Sequence, residues 1–229
     1  MPNHEHIYTQ QADLYELMIS KQPGLSEIIN RIAPYAGRHL LDVGAGSGRL
    51  TCELAPEAAS IIATDLSPAM LDVLTQRLTS QQLSSRLQTY TADHRQLPVA
   101  DQAVDLAVSG WSLCYLAHAD MPEWRDNLSR MMQELDRVTK PGGTIILFET
   151  MGTGFTEPSP PEFLKPYYRA LEQEYGFLHD WVRLDYTFDS VEQAAELTRF
   201  FFGEELASTV EQQGWSVVPE CAGVWWKHK

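Results

Sequence analysis

The chain is 229 residues long, with 17 basic against 31 acidic side chains and a formal net charge of −14. That length is ample for one α/β core, and 44% hydrophobic content is ordinary for a globular chain. Nucleic-acid binding draws affinity from Lys and Arg that neutralise phosphates, so this acidic chain without a basic cluster points to a small-molecule partner and away from nucleic acid. No apolar run approaches the ~18 residues of a membrane span. The start, MPNHEHIYTQQ, lacks the basic segment and apolar core of an export signal, so the expected location is the cytoplasm, with no membrane partner. Cys52, Cys114 and Cys221 have no paired spacing, which suggests neither a disulfide framework nor a metal site. Oligomeric state leaves no signature in this pattern.

In chain order, Tyr8, Ala12, Tyr15 and Ile19 fall at helical spacing and predict a helix within an N-terminal cap over residues 5–35. Leu40 to Thr51, LLDVGAGSGRLT, follows. Leu40, Leu41 and Val43 suit a buried parallel strand, and Gly44, Gly46 and Gly48 let the backbone turn and approach a ligand closely. Leu50 and Leu54 continue as a helix face. The next apolar run, SIIATD, ends at Asp65 and precedes Leu66, about 20 residues beyond the glycine loop, the interval of a ribose-binding carboxylate. Ser67 and Pro68 read as an N-cap and first helical residue ahead of Met70, Leu71, Leu74 and Leu78.

Leu87 to Ala92 and Val104 to Ser109 read as the third and fourth strands. Asp120 is the expected cap of a helix with the stripe Trp124, Leu128, Met131, Leu135 and Val138, stopped by Lys140-Pro-Gly-Gly. Thr144 to Glu149 is the fifth strand. Met151 to Pro166, rich in glycine and proline, opens an insertion over residues 151–190 that serves either as a lid over a pocket or as a passive connector. Ser190 to Gln193 is a capping box for a helix carrying Leu197, Phe200 and Phe201, and Leu206 with Val210 continues to Gly214. Trp215 to Trp226 supplies the last strands.

The glycine loop separates two cofactor classes. A dinucleotide fingerprint, G-x-G-x-x-G, needs a glycine where Arg49 stands. The observed spacing, D-x-G-x-G-x-G from Asp42 to Gly48, resembles motif I of the class I S-adenosylmethionine-dependent methyltransferases. Asp65, Asp93 with His94 in TADHRQLP, and KPGG extend the resemblance over most of the chain. SGWSLCYL and ETMGTG look like strings of a bacterial branch of that family. The resemblance implies a Rossmann-like, doubly wound, mostly parallel seven-stranded sheet with helices on both faces and an antiparallel last strand, in one domain over residues 1–229. It implies S-adenosylmethionine as cofactor, held by Asp42, Gly44, Gly46, Gly48, Asp65, Leu66, Asp93, His94, Ser109 and Tyr8.

Transfer of a sulfonium methyl group to a small-molecule acceptor rests on positioning and exclusion of water. A base is needed only where the accepting atom carries a proton at neutral pH. His94, Glu149 and His179 are the candidates. Trp111, Tyr115 and Tyr15 are candidate acceptor contacts; Trp111 is equally readable as a core tryptophan, and Tyr15 reads rather as an anchor of its helix to the core. Ser109-Gly-Trp-Ser stands where amino-group methyltransferases acting on nucleic acid or protein amides, which the chain otherwise resembles, often carry an Asn/Asp-Pro-Pro-Tyr motif, and this departure points away from those acceptors. Two other classes stay open: a non-catalytic module that binds S-adenosylmethionine, and an NAD-dependent oxidoreductase, which Arg49 and the lack of a Tyr-x-x-x-Lys pair count against.

Overall fold

The structure, a computed structural model, describes Ile7 and residues 10–229; the expectation for Tyr8 lies outside the described residues. Its strands are β1 (His39–Val43), β2 (Ser60–Asp65), β3 (Leu87–Thr91), β4 (Val104–Gly110), β5 (Thr139–Thr153), β6 (Leu178–Arg183), β7 (Tyr186–Thr187), β8 (Val217–Val218) and β9 (Glu220–His228). Its helices are α1 (Ala12–Ile19), α2 (Ser26–Ile32), α3 (Arg49–Leu54), α4 (Pro68–Ser80), α5 (Cys114–Ala117), α6 (Trp124–Val138), α7 (Lys165–Gln173), α8 (Val191–Phe201) and α9 (Glu204–Gln213). No helix among the described residues is long and apolar enough to cross a membrane.

The main sheet has seven strands in the order β3-β2-β1-β4-β5-β9-β6. β1 pairs in parallel with β2 and β4, β2 with β3, and β4 with β5. Lys229 N donates to Gly143 O while Gly142 N donates to Lys229 O, so β9 ends where β5 starts and runs antiparallel to it. The strand order reverses between β1 and β4. In such sheets a crevice opens there beyond the carboxyl ends of the strands. Leu40, Leu41 and Val43 are buried, and so is Asp42 between them, as a central strand covered on both faces requires.

Local sequence explains most boundaries. Ser67 caps α4 by accepting from Met70 N, with Pro68 in the first turn. Along α6, Leu128, Met131, Leu135 and Val138 are buried at helical spacing. Two expectations are corrected. Asp120 is not the α6 cap, because the helix starts at Trp124 after Glu123, which makes no side-chain cap bond. The helix does end ahead of Lys140-Pro-Gly-Gly, at Val138, but the fifth strand does not wait for Thr144, since β5 already begins at Thr139. Thr139 pairs with Val104 and Thr144 with Leu106, so KPGG bulges out of β5, with Gly142 at φ +77°.

The chain divides into two compact units. The larger comprises residues 24–149, 160–180 and 223–229, and the smaller residues 1–23, 150–159 and 181–222. In the smaller, β7 pairs antiparallel with β8, and Met18, Ile19, Tyr186, Phe188, Leu197, Val210 and Val218 form a core. Thr187 N donates to Lys21 O at 2.8 Å, and Lys21 Nζ meets Asp189 at the same distance. These bonds fasten the N-terminal segment to residues far along the chain.

Candidate cofactor and methyl-transfer site

The glycine loop after β1 is held by its own backbone. Gly44 N and Ala45 N both donate to Thr64 O, at 2.8 and 2.9 Å, and Gly48 N to Ala45 O at 2.9 Å. Arg77 of α4 reaches Ser47 O at 2.8 Å. The three glycines have φ of +73°, +54° and +95°, a region costly for side-chain-bearing residues. They differ in what surrounds them. A Cβ on Gly44 would lie 1.8 Å from Ser112 Oγ and one on Gly48 2.3 Å from Leu74 Cδ1, whereas nothing stands within 4 Å of that position on Gly46. Gly46 therefore presents open space to a ligand.

Asp65 is set against this loop. Its carboxylate accepts from Gly46 N at 2.9 Å and from Ser67 N at 2.8 Å, which fixes its orientation and leaves further lone pairs for a diol. Leu66 beside it is 57% exposed. Asp42 is fully buried, accepts from Thr51 Oγ1 at 2.6 Å, and keeps Oδ1 without a partner. Burial pushes its pKa up to about 7 against the pull of the Thr51 bonds.

After β3, Asp93 is gripped by Arg95 through two bonds, Nε to Oδ1 at 2.9 Å and Nη2 to Oδ2 at 2.6 Å. These bonds hold its carboxyl down at about 2. Arg95 also reaches Asn127 Oδ1 at 2.8 Å. His94 is buried, with Nε2 2.8 Å from Ser112 Oγ and Nδ1 unpartnered. Desolvation lowers its pKa, which keeps the imidazole neutral and penalises its protonation. Ser109 Oγ, at the end of β4, donates to Val43 O at 2.7 Å, which ties the two strands at the switch point.

At the next residues the rim becomes aromatic. Trp111 has φ +51°, donates its N–H to Phe148 O at 2.7 Å and stacks on the Phe148 ring. The Arg49 guanidinium carbon lies 4.1 Å from the centre of the Trp111 ring. Glu149, at the same end of β5, is buried. It accepts from Cys114 N at 3.1 Å and Tyr167 Oη at 3.2 Å, with Oε2 unpartnered. Burial raises its pKa to about 7.

Asp42, the three glycines, Asp65, Asp93, His94 and Ser109 are thus brought together around the ends of β1 to β4, with Trp111 and Glu149 beside them. Tyr115 is 42% exposed on α5. His179 stands apart from this group, stacked on Trp225 at 4.4 Å with Glu172 Oε1 3.6 Å from its Nδ1. Tyr15 belongs to the smaller unit, where it packs on Phe201 at 5.3 Å. Sequence reasoning missed Ser112, Arg95, Tyr167 and Thr51 as partners of site residues. It registered Arg49 only as a misfit to a dinucleotide loop, and none of these pairs has a spacing signature.

Comparisons with known proteins fit this geometry. Residues 41–147, from β1 into β5, match the methyltransferase domain family. The chain is 34% identical over 130 residues to a demethylmenaquinone methyltransferase of Clavibacter sepedonicus, covering 57% of this chain and 46% of that protein. It is 29% identical over 148 residues to a malonyl-[acyl-carrier protein] O-methyltransferase of Serratia marcescens, covering 64% and 52%. The chain therefore spans about half the length of these curated relatives. A solved S-adenosylmethionine-dependent methyltransferase of Aquifex aeolicus superposes with a TM-score of 0.62 at 15% identity, over 93% of this chain and 96% of that one, a likeness of fold. Over residues 41–147 the chain is thus similar to methyltransferase domains, and its fold is like that of a solved S-adenosylmethionine-dependent methyltransferase.

Proposed function

We propose that the protein transfers a methyl group from S-adenosylmethionine to a small-molecule acceptor. The observation that carries this reading is Asp65 bonded to Gly46 N at the open face of the D-x-G-x-G-x-G loop. The residues fit the cofactor chemically. Asp65 offers acceptors to ribose hydroxyls, Asp93 stays ionised to accept from the adenine amino group, and Gly46 lets the loop pass close to the ligand. When bound, the sulfonium supplies an already activated methyl. The protein then has to align the acceptor and keep water out. Trp111, Tyr115 and Ser112 supply the wall on which an acceptor is aligned. Of the candidate bases, Glu149, raised to about 7 by burial, is the group suited to hold a proton from an acceptor that carries one, whereas burial of His94 opposes its protonation. The names of the two curated relatives support an acceptor of small-molecule or carrier-bound type.

Calorimetric titration with S-adenosylmethionine, S-adenosylhomocysteine and a nicotinamide dinucleotide tests the reading. Binding of the first two, weakened about 10- to 100-fold in Asp65→Ala by loss of hydrogen bonds to a charged group, is the expected result. Binding of the dinucleotide alone would overturn it, and cofactor binding with no methyl transfer to any small acceptor would leave a binding module.

A further inference from the structure

Arg49 is a cation of the larger unit with a buried guanidinium nitrogen that has no partner. It opens α3 directly after Gly48, Nη2 is buried without a partner, and no carboxylate or carbonyl among the described residues accepts from it. Of the other arginines of that unit, Arg77 is anchored to Ser47 O, Arg86 to three carbonyls, Arg95 to Asp93 and Asn127, and Arg137 to Glu134 and Asp101. A buried guanidinium nitrogen without a partner is costly, and a guanidinium offers donors in a planar fork that suits a carboxylate.

What holds Arg49 in place is equally unusual. The Trp111 ring lies 4.1 Å from the guanidinium carbon, and Trp111 keeps a left-handed backbone, φ +51°, that a bulky residue adopts only when its surroundings impose it. The imposed features are the N–H bond to Phe148 O and the stack on Phe148. Strain of this kind clusters at ligand clamps. A cation–π contact orients one face of the guanidinium and consumes none of its N–H donors.

Resting on the methyltransferase reading, we propose that Arg49, supported by Trp111, is the receptor for a ligand carboxylate at the carboxyl ends of β1 and β4. The carboxylate belongs either to the amino-acid portion of the cofactor or to the acceptor, and ligands that separate the two sources test the idea. Calorimetry on wild type, Arg49→Gln and Arg49→Lys compares S-adenosylhomocysteine with 5′-methylthioadenosine, which keeps the nucleoside and lacks the carboxylate. Loss of about 10-fold or more for S-adenosylhomocysteine in Arg49→Gln, with unchanged methylthioadenosine affinity and a smaller loss in Arg49→Lys, assigns the cofactor's carboxylate.

Unchanged S-adenosylhomocysteine affinity, with loss of malonate binding to the S-adenosylhomocysteine complex, assigns the acceptor's. Equal affinities of wild type and Arg49→Gln for every ligand would overturn the proposal. Failure of wild type to bind either nucleoside would overturn the methyltransferase reading instead. Unchanged methylthioadenosine binding also reports that Arg49→Gln is folded.

Discussion

Gly44 meets two separate demands, and each has its own consequence on substitution. Its φ of +73° disfavours any Cβ, and the added carbon would stand 1.8 Å from Ser112 Oγ and 2.4 Å from Ser112 Cβ. Gly44→Ala should therefore lower stability by roughly 1–3 kcal/mol, the cost of a strained backbone together with a displaced neighbour. In Gly44→Ala/Ser112→Gly the contacts with Ser112 are gone while the strain and a 3.2 Å approach to His94 Cε1 remain, so part of the loss should return. Thermal unfolding of both variants measures the split. A double variant no more stable than the single one would show that the Ser112 contacts contribute nothing to the requirement. The same residues illustrate what sequence conveys at this scale: an invitation to turn is visible in the glycine itself, whereas Ser112 as its neighbour is not, because the two meet only when β4 lies beside β1.

Elements that bound themselves by local chemistry are the ones the sequence announces. In α8, Ser190 Oγ accepts from Gln193 N at 3.2 Å, and Gln193 Oε1 accepts from Asp189 N at 2.9 Å. This bond pattern differs from a strict capping box only in which backbone N–H the glutamine takes. Ser190→Ala should cost about 1 kcal/mol and lower the midpoint by roughly 2–4 °C for a chain of this size. An unchanged melting curve would mean that packing of Ala194, Leu197 and Thr198, all buried, fixes the helix without its cap. β5 gives the opposite lesson. Its proline and glycines signal an end to regular structure, yet Thr139 already pairs with Val104, and a bulge accommodates the extra residues that a one-dimensional pattern reads as a loop.

At the level of the whole molecule, buried carboxyls set the pH dependence of stability. Asp42 and Glu149 are each raised to about 7 by burial, against about 4 in an unfolded chain. Between those values the folded protein keeps protons that the unfolded chain has released. Their contribution is complete below pH ~4 and is lost as pH rises through about 7. Asp93 acts oppositely: held near 2 by Arg95, it contributes above pH ~4, and that contribution is lost as pH falls through about 2. Stability should peak on the acidic side of neutrality. Glu149→Gln removes one ionisation, so its fall in denaturation midpoint between pH 5 and pH 8 should be smaller than in wild type. A fall as large as wild type's would show that charging Glu149 carries no penalty.

The sequence by itself determined the strand that runs into three glycines, the acid ending the second strand, the amphipathic helices and the methyltransferase resemblance. Each is a contiguous pattern governed by backbone freedom or by one periodicity. Only the tertiary structure decided that Arg49 lies on Trp111, that His94 meets Ser112, that Glu149 gathers Cys114 and Tyr167, and that His179 stacks on Trp225 apart from the glycine loop. It also gathered the N-terminal segment with residues 181–222 into one compact unit. These pairings join residues far apart in the chain. Their partners are chosen by strand order and by desolvation in the assembled core, which no local run of residues encodes.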